Sequence, residues 1–306
     1  MCETSEPPLP SIIPPLSLFI LYFTFSTLSF SRSIVSSRLC PESISSRVHI
    51  RVPDLPVRSR LKSQSRMAST STPSFPSKPY IPRHPSGQWP YTDADFDRQD
   101  PSPDDVFYQP TRLVTHIDDQ AISKLTQYYA SSLPSKGKIL DLCSSWVSHY
   151  PPKLGMGVAK GDVEVIGMGM NKAELENNSI LTSRAVKDLN EDSTLPAEAQ
   201  SLDAATCVVS IDYLTRPVEV LKEVHERLVP GGEVHLAISN RCFPTKAIRR
   251  WLKIDEEERL QMVGDYLWFA GFKKIDILTL SDGSGNGGGW FSRCDPLWIV
   301  RGRKEG

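Results

Sequence analysis

From about residue 116 onward, short apolar runs alternate with segments whose apolar residues have helical spacing. The first four strand candidates are the runs 138–143, 163–168, 184–189 and 203–211. The first three helix candidates are 116–133, 172–181 and 216–228. Strands that alternate with helices predict βαβ crossovers and a parallel sheet covered on both faces. This alternation constrains the possible folds more than any other feature of the sequence.

The C-terminal part of the pattern departs from strict alternation. A fifth strand is predicted at 234–239, and a long helix begins at Asp255, with Glu258 completing a capping-box pattern. The last two strand candidates, 273–280 and 296–303, follow each other without a helix between them, which predicts an antiparallel pair. The predicted fold class is α/β: a Rossmann-like, doubly wound, mostly parallel seven-stranded sheet with an antiparallel C-terminal strand hairpin.

The first hundred residues differ in composition from the rest. They contain 14 of the 25 prolines and one of the 18 glycines. We therefore expect three regions: a targeting-like leader over 1–66, a linker rich in Pro, Ser and Asp over 67–110, and a folded domain over 111–306. The linker lacks a sustained apolar period and is not expected to order by itself.

The leader has the composition of an organelle transit peptide. Residues 31–66 contain ten Ser, seven Arg and two acidic residues. The unbroken apolar stretch before them, 16–30, is shorter than the ~20 residues of a membrane-spanning helix, so no stable span is predicted. We expect import into a plastid (chloroplast) or mitochondrion. A start at Met67, which would give a cytoplasmic product, is the alternative.

Charge and cysteine spacing exclude other classes. The net charge of −1 argues against nucleic acid as a partner. None of the six cysteines forms a CxxC pair, so no metal site is predicted and buried free thiols are expected.

One stretch resembles a known family. Leu202-Asp203-Ala204-Ala205-Thr206-Cys207-Val208-Val209-Ser210 is followed by an amphipathic helix and then by Val229-Pro230-Gly231-Gly232-Glu233-Val234. In this order and spacing it resembles the type 11 group of class I S-adenosylmethionine-dependent methyltransferases. The resemblance covers roughly 110–306 and points to a divergent subgroup with serines in the cofactor loop. It implies S-adenosyl-L-methionine as the cofactor.

The resemblance also assigns the loop after the first strand. Asp141 matches the acid that ends this strand in the family. Cys143, Ser144 and Ser145 stand where the family has a glycine-rich turn, and they are expected to contact the cofactor. Glycine normally lets the backbone take positive φ angles there, so its absence equally fits a degenerate site.

After the second strand, Gly169 stands where the family has an acid that binds the ribose hydroxyls. Asn171 or Glu174 would have to replace that acid. Asn171 also fits a helix N-cap, which on sequence grounds is the stronger reading.

The remaining site residues follow later strands. By the same resemblance, Asp188, Leu189 and Asn190 would recognise adenine, although an Asp/Asn-rich turn explains them too. Ser210 lies where methyl donor and acceptor meet. The acceptor-side candidates are Tyr213, Asn240, Arg241 and Trp290. Tyr108 and His116 lie where family members fold an N-terminal segment over the cofactor.

The predicted function is S-adenosylmethionine-dependent methyl transfer to a small molecule. No catalytic residue is assigned, because in-line methyl transfer depends mainly on proximity and orientation. The alternative is a non-catalytic methyltransferase-like binding protein with a degenerate cofactor site. A nicotinamide-dependent oxidoreductase is disfavoured because the G-x-G-x-x-G motif is absent.

Overall fold

The computed structural model describes residues 74–84, 87–284 and 294–306. Their strands are β1 (Ser77–Pro79), β2 (Gly137–Leu142), β3 (Val163–Gly169), β4 (Ser183–Val186), β5 (Leu202–Val208), β6 (Leu228–Ser239), β7 (Lys274–Ser281) and β8 (Leu297–Arg303). Their helices are α1 (Asp104–Tyr108), α2 (Asp119–Ser132), α3 (Pro152–Ala159), α4 (Lys172–Asn177), α5 (Pro217–Arg227) and α6 (Glu256–Phe269).

The strands form one mixed sheet in the order β1-β7-β8-β6-β5-β2-β3-β4. Strands β2 to β6 run parallel, whereas β7, β8 and β1 add antiparallel pairs at one side. The chain winds outward from β2 to β4, then returns beside β2 with β5 and winds the other way. This confirms the predicted α/β fold with its antiparallel C-terminal strands.

Alternation along the strands places apolar side chains on both faces. Leu140 of β2 belongs to the same cluster as residues of α5 and α6, whereas its neighbour Ile139 packs with residues of α3 and α4. Helix α2 contributes Leu125 and Tyr128 to a third cluster against β6, β7 and β8. The sheet is thus covered on both faces, as its apolar strands require.

The sheet has eight strands in the described residues rather than the predicted seven. The additional strand, β1, pairs Ser77 with Leu278 and Pro79 with Asp276 at the edge next to β7. A three-residue edge strand containing a proline carries no period that could be recognised in the sequence.

The described part of the expected linker packs against the domain. Tyr80 and Tyr91 are buried, and both hydroxyls donate to the buried carboxylate of Asp265 on α6. Trp89 stacks on Phe96, and both lie against α6. Widely spaced aromatic residues therefore anchor a segment that looks like a linker by composition. The predicted leader, 1–66, lies outside the described residues.

Candidate functional site

A cavity of about 290 Å³ opens at the carboxyl ends of the parallel strands. The turns after β2, β3, β4, β5 and β6 line it, and the segment from α1 to α2 covers one side. The chain reverses its winding between β2 and β5, so the cavity lies at the switch point of the sheet. Ligands of open α/β sheets bind at such crevices because strand-end turns converge there.

Asp141, the last but one residue of β2, organises the first of these turns. Its carboxylate accepts hydrogen bonds from the hydroxyls of Ser144 (2.7 Å), Ser148 (2.6 Å) and Thr206 (2.9 Å). Burial raises the pKa of Asp141, although the three hydroxyl donors act in the opposite direction. The acid predicted at this position therefore lines the cavity and fixes the conformation of the turn through these hydrogen bonds.

Cys143 stands where the resemblance expects glycine, and it adopts a left-handed backbone conformation. Its φ angle is 52°, in the left-handed region that glycine adopts most easily. The next residue, Ser144, donates its backbone N–H to the carbonyl of Met168 in β3 at 2.7 Å. The turn thus has a left-handed residue although it contains no glycine.

The close approach of Ser144 to the end of β3 also explains why position 169 is a glycine. A Cβ atom at this position would lie 2.1 Å from the carbonyl oxygen of Ser144. An acidic side chain therefore cannot replace it while the turn after β2 approaches so closely. The turn after β2 contains no glycine, but its close approach requires a glycine at the end of β3.

Asn171 and Glu174 differ in how much of their hydrogen-bonding capacity remains. Asn171 caps α4 by accepting from the Glu174 N–H (3.0 Å), and its amide donates to the carbonyls of Tyr108 and Gln109. Glu174 accepts from Ser145 Oγ and from the Arg112 N–H, both at 2.7 Å. A carboxylate has about four acceptor positions, so Glu174 is the acid on this wall with capacity left.

The turn after β4 contributes Asp188, Leu189 and Asn190 to the cavity wall. Asp188 Oδ1 accepts from the Asn190 N–H at 2.8 Å, while Oδ2 has no partner among the described residues. The Asn190 side chain is fully used: it donates to Asp104 and to the Tyr213 carbonyl and accepts from Thr215. Asn190 therefore fixes the turn, and Asp188 presents a free oxygen.

The turn after β5 is strained. Val209 has a φ of 42°, which is a genuine outlier for a β-branched residue. Ser210 donates its hydroxyl to the Val208 carbonyl (2.8 Å), and Tyr213 accepts from the Phe243 N–H (2.8 Å). Strain of this kind concentrates at functional sites, and Val209 itself lines the cavity.

Asp212 lies behind this turn. It is buried, and its Oδ2 has no hydrogen-bond partner in the described part of the chain. Burial raises the pKa of Asp212 to about 7. A carboxyl group with a pKa near neutrality therefore lies one residue from Tyr213 on the cavity wall.

The acceptor-side candidates separate in space. Arg241 lines the cavity, and its Nε donates to Asp295 Oδ1 at 2.8 Å. Asn240 is exposed and does not line the cavity. Trp290, with the glycine-rich stretch around it, lies outside the described residues.

Sequence reasoning missed the ion network that holds α1 over the cavity. Asp104 is buried and contacts Arg98 at 2.6 Å and the buried Lys246 at 3.1 Å. Burial by itself would raise the pKa of Asp104, but hydrogen bonds from Arg98 and Asn190 hold it below its ordinary value. The abundance of Asp in 93–105 was the available signal, and it resembles linker composition.

Three further cavity residues were not singled out as site residues: His149, Cys242 and Phe243. His149 has a φ of 55° in the turn between β2 and α3. Trp146 also lines the cavity, and its Nε1 donates to the Val114 carbonyl at 2.9 Å. Among the residues that the structure describes, no cluster of three or more His, Cys, Asp or Glu is placed to hold a metal ion, and no helix has the length and apolar character to cross a membrane.

No protein-family model matches the chain, and no curated protein matches it. Solved structures of similar fold include an S-adenosylmethionine-dependent methyltransferase of Thermotoga maritima, with 18% identity, a TM-score of 0.42, and coverage of 61% of this chain and 91% of that one. The [4+2]-cyclase SpnF has 17% identity and a TM-score of 0.43, with 64% and 89% covered. An S-adenosylmethionine-dependent methyltransferase of Archaeoglobus fulgidus has 12% identity and a TM-score of 0.42, with 61% and 95% covered. The chemistry of this chain has to be inferred from its own cavity.

Proposed function

We propose that the protein is an S-adenosylmethionine-dependent methyltransferase with a small-molecule acceptor. The observation that carries this proposal is the set of free hydrogen-bonding groups along three neighbouring strand-end turns of one cavity. These groups match, in order, an amino acid end, a ribose and an adenine.

At the adenine position, Asp188 Oδ2 is a free acceptor, and the Leu189 N–H makes no hydrogen bond to another described residue. An adenine ring offers an amino donor beside a ring-nitrogen acceptor, so this pair of groups is complementary to it. At the ribose position, Glu174 has acceptor capacity left for hydroxyl donors.

At the amino acid position, the backbone N–H groups of Ser145 and Trp146 have no partner among the described residues. Unpaired N–H groups in a turn at a strand end are suited to an anion such as a carboxylate. The residues present therefore fit S-adenosylmethionine, which when bound would supply an electrophilic methyl group. The protein's contribution is to hold the acceptor in line with that group and to exclude water.

Calorimetry with S-adenosylhomocysteine tests this assignment. Asp188→Ala is expected to weaken binding by about 1–3 kcal/mol, because the adenine amino group would lose its acceptor. The matched control is Asp162→Ala, which removes a half-exposed acid directly before β3, at the amino ends of the parallel strands. There Asp162 pairs with Lys136 at 3.4 Å. Equal affinities of the two variants would refute the role of Asp188.

The same titration separates the enzyme from a non-catalytic binding protein. Absence of binding at millimolar ligand to folded wild-type protein would overturn the proposal. Binding without methyl transfer to any of a broad set of small molecules would favour the non-catalytic alternative.

We also propose organelle import, which rests on the composition of 1–66 alone. A fluorescent protein fused to the C-terminus of the full chain should accumulate in a plastid or mitochondrion. A diffuse cytoplasmic signal would instead support translation from Met67.

A further inference from the structure

Two histidines line the cavity from different elements. His116 lies in the loop before α2, and His149 lies in the turn between β2 and α3. No ring nitrogen of either has a hydrogen-bond partner among the described residues. Since a neutral imidazole has one donor and one acceptor nitrogen, each ring has an available lone pair.

The carboxylates at this end of the cavity are already engaged. Asp141 accepts from three hydroxyls, and Asp104 is paired with Arg98 and Lys246. The free oxygen of Asp188 lies at the end of β4, two strands away from β2. The Oδ2 atom of Asp212 has no hydrogen-bond partner among the described residues, but Asp212 does not line the cavity. The imidazoles are therefore the available bases on the cavity wall near the ends of β5 and β6.

His116 is the histidine on the acceptor side. Its ring lies edge-on to Phe243 with 5.4 Å between centroids, and Tyr213 flanks Phe243 at 6.0 Å. The chain two residues later is fixed by Asp118, whose N–H donates to Asp295 at 3.0 Å. Asp295 also holds Arg241, so His116, Phe243 and Arg241 are gathered at one end of the cavity.

The charge state of His116 suits proton acceptance. The side chain is exposed to the open cavity, yet partial burial lowers its pKa. The groups around it oppose each other: Glu174 of α4 raises the pKa and Arg112 lowers it. His149 also faces it, and its own pKa is lowered by burial and then by His116. Asp118, Arg241 and Asp295 complete the charged surroundings. The lowered pKa favours the neutral ring, which is the form that accepts a proton.

The surroundings also select among acceptors. Arg112 and Arg241 line this end, so a cationic amine is disfavoured. A carboxylic acid is ionised at neutral pH and needs no base. A phenol suits this end of the cavity: it is neutral in water, it needs a base, its ring fits the aromatic wall, and its oxyanion would be stabilised by a guanidinium. The two Nη atoms of Arg241 have no hydrogen-bond partner in the described part of the chain and are free for this role.

We propose that His116 is the base that takes the proton of the acceptor, and that the acceptor is a small phenol seated against Phe243 beside Arg241. This inference rests on the proposed methyltransferase function. The phenol oxygen forms a bond to the methyl carbon, and the carbon–sulfur bond breaks with its electron pair remaining on sulfur. The phenol proton goes to the free ring nitrogen of His116 and afterwards to water.

The test uses the full chain, S-adenosylhomocysteine and the chromogenic probe 4-nitrophenol. Ionisation of the bound probe is followed by its phenolate absorbance over a pH series. We expect saturable binding to the wild type, with ionisation at lower pH than in solution. In His116→Gln the bound probe should be about tenfold harder to ionise, one unit in its apparent pKa. Nitrobenzene, which cannot ionise, should bind both proteins equally.

Matched variants make the result decisive. His225→Gln, whose ring packs on Phe272 outside the cavity, should keep the ionisation of the wild type. His149→Gln tests the other imidazole of the cavity and should lose less ionisation than His116→Gln. Failure of 4-nitrophenol to bind, equal ionisation in wild type and His116→Gln, or loss confined to His149→Gln would each overturn the inference. Calorimetry with S-adenosylhomocysteine on the same samples checks folding. If that ligand binds and the phenol does not, the inference fails while the proposed function stands.

Discussion

The two ends of the cavity are built differently. At the cofactor end, which comprises the turns 141–148, 169–174 and 188–190, most side chains are locked by hydrogen bonds within the protein. At the acceptor end, which comprises His116, Tyr213, Arg241 and Phe243, the Arg241 guanidinium and the His116 imidazole keep free hydrogen-bonding groups. One end is thus preorganised for a ligand of fixed shape, while the other retains groups for chemistry.

The largest expected effect concerns Asp212, the unpaired carboxyl behind the acceptor end. Because its pKa is raised to about 7, the unfolded chain releases this proton near pH 4 while the folded protein keeps it up to about pH 7. Stability therefore falls as pH rises through this window. Asp212→Asn should abolish this fall, since an amide cannot ionise. Its advantage in free energy of unfolding should grow from near zero at pH 4 to about 4 kcal/mol at most above pH 7.

Urea unfolding of both proteins across this pH range measures the effect. Asp162→Asn, at a half-exposed acid, serves as the control. Parallel stability curves for wild type and Asp212→Asn would show that the carboxyl is not buried in its neutral form.

The next effect tests the locked packing of the cofactor end. Gly169→Ala should cost about 1–3 kcal/mol, because its Cβ would collide with the Ser144 carbonyl at 2.1 Å and force the two turns apart. S-adenosylhomocysteine affinity should fall with it. In Gly155→Ala, the new Cβ meets its nearest neighbour, Ile180, at 3.5 Å. A stability loss in Gly155→Ala as large as in Gly169→Ala would argue against a specially tight contact between the turns.

The smallest effect on stability is expected at Arg241. Its side chain is 60% exposed, and its pair with Asp295 is the kind that contributes little. Arg241→Gln should change the free energy of unfolding by less than about 0.5 kcal/mol. It should leave S-adenosylhomocysteine affinity intact and weaken binding of 4-nitrophenolate. Arg98→Gln, which strips a partner from buried Asp104, should instead cost about 3 kcal/mol. Similar losses in the two arginine variants would erase the contrast between free and locked groups.

Much of the fold could be predicted from the sequence. The strands β2, β3 and β5 are short apolar runs, and Asp255 caps α6 by accepting from the Glu258 N–H, as its position predicts. Asn171 is the N-cap of α4, the stronger of its two sequence readings. These features depend on residues close in the chain, so their periodicity and spacing carry the signal. Helix α3 was not predicted because the prolines at its N-cap and first position and two glycines within it obscure its period.

The site could be predicted only in part, because its logic depends on contacts between distant residues. Asp141, Ser144 and Asp188 reach the cavity because parallel strands end at one edge, which the βαβ pattern implies. In contrast, position 169 has to be glycine because the Ser144 carbonyl approaches it. The remaining acceptor capacity of Glu174 depends on its hydrogen bonds from Arg112 and Ser145, which are distant in the sequence. The lowered pKa of His116 and the raised pKa of Asp212 likewise depend on what packs around them. Local pattern therefore sets the order of strands and helices, while burial and close approach between remote segments set the charge, strain and free hydrogen-bonding groups on which the chemistry depends.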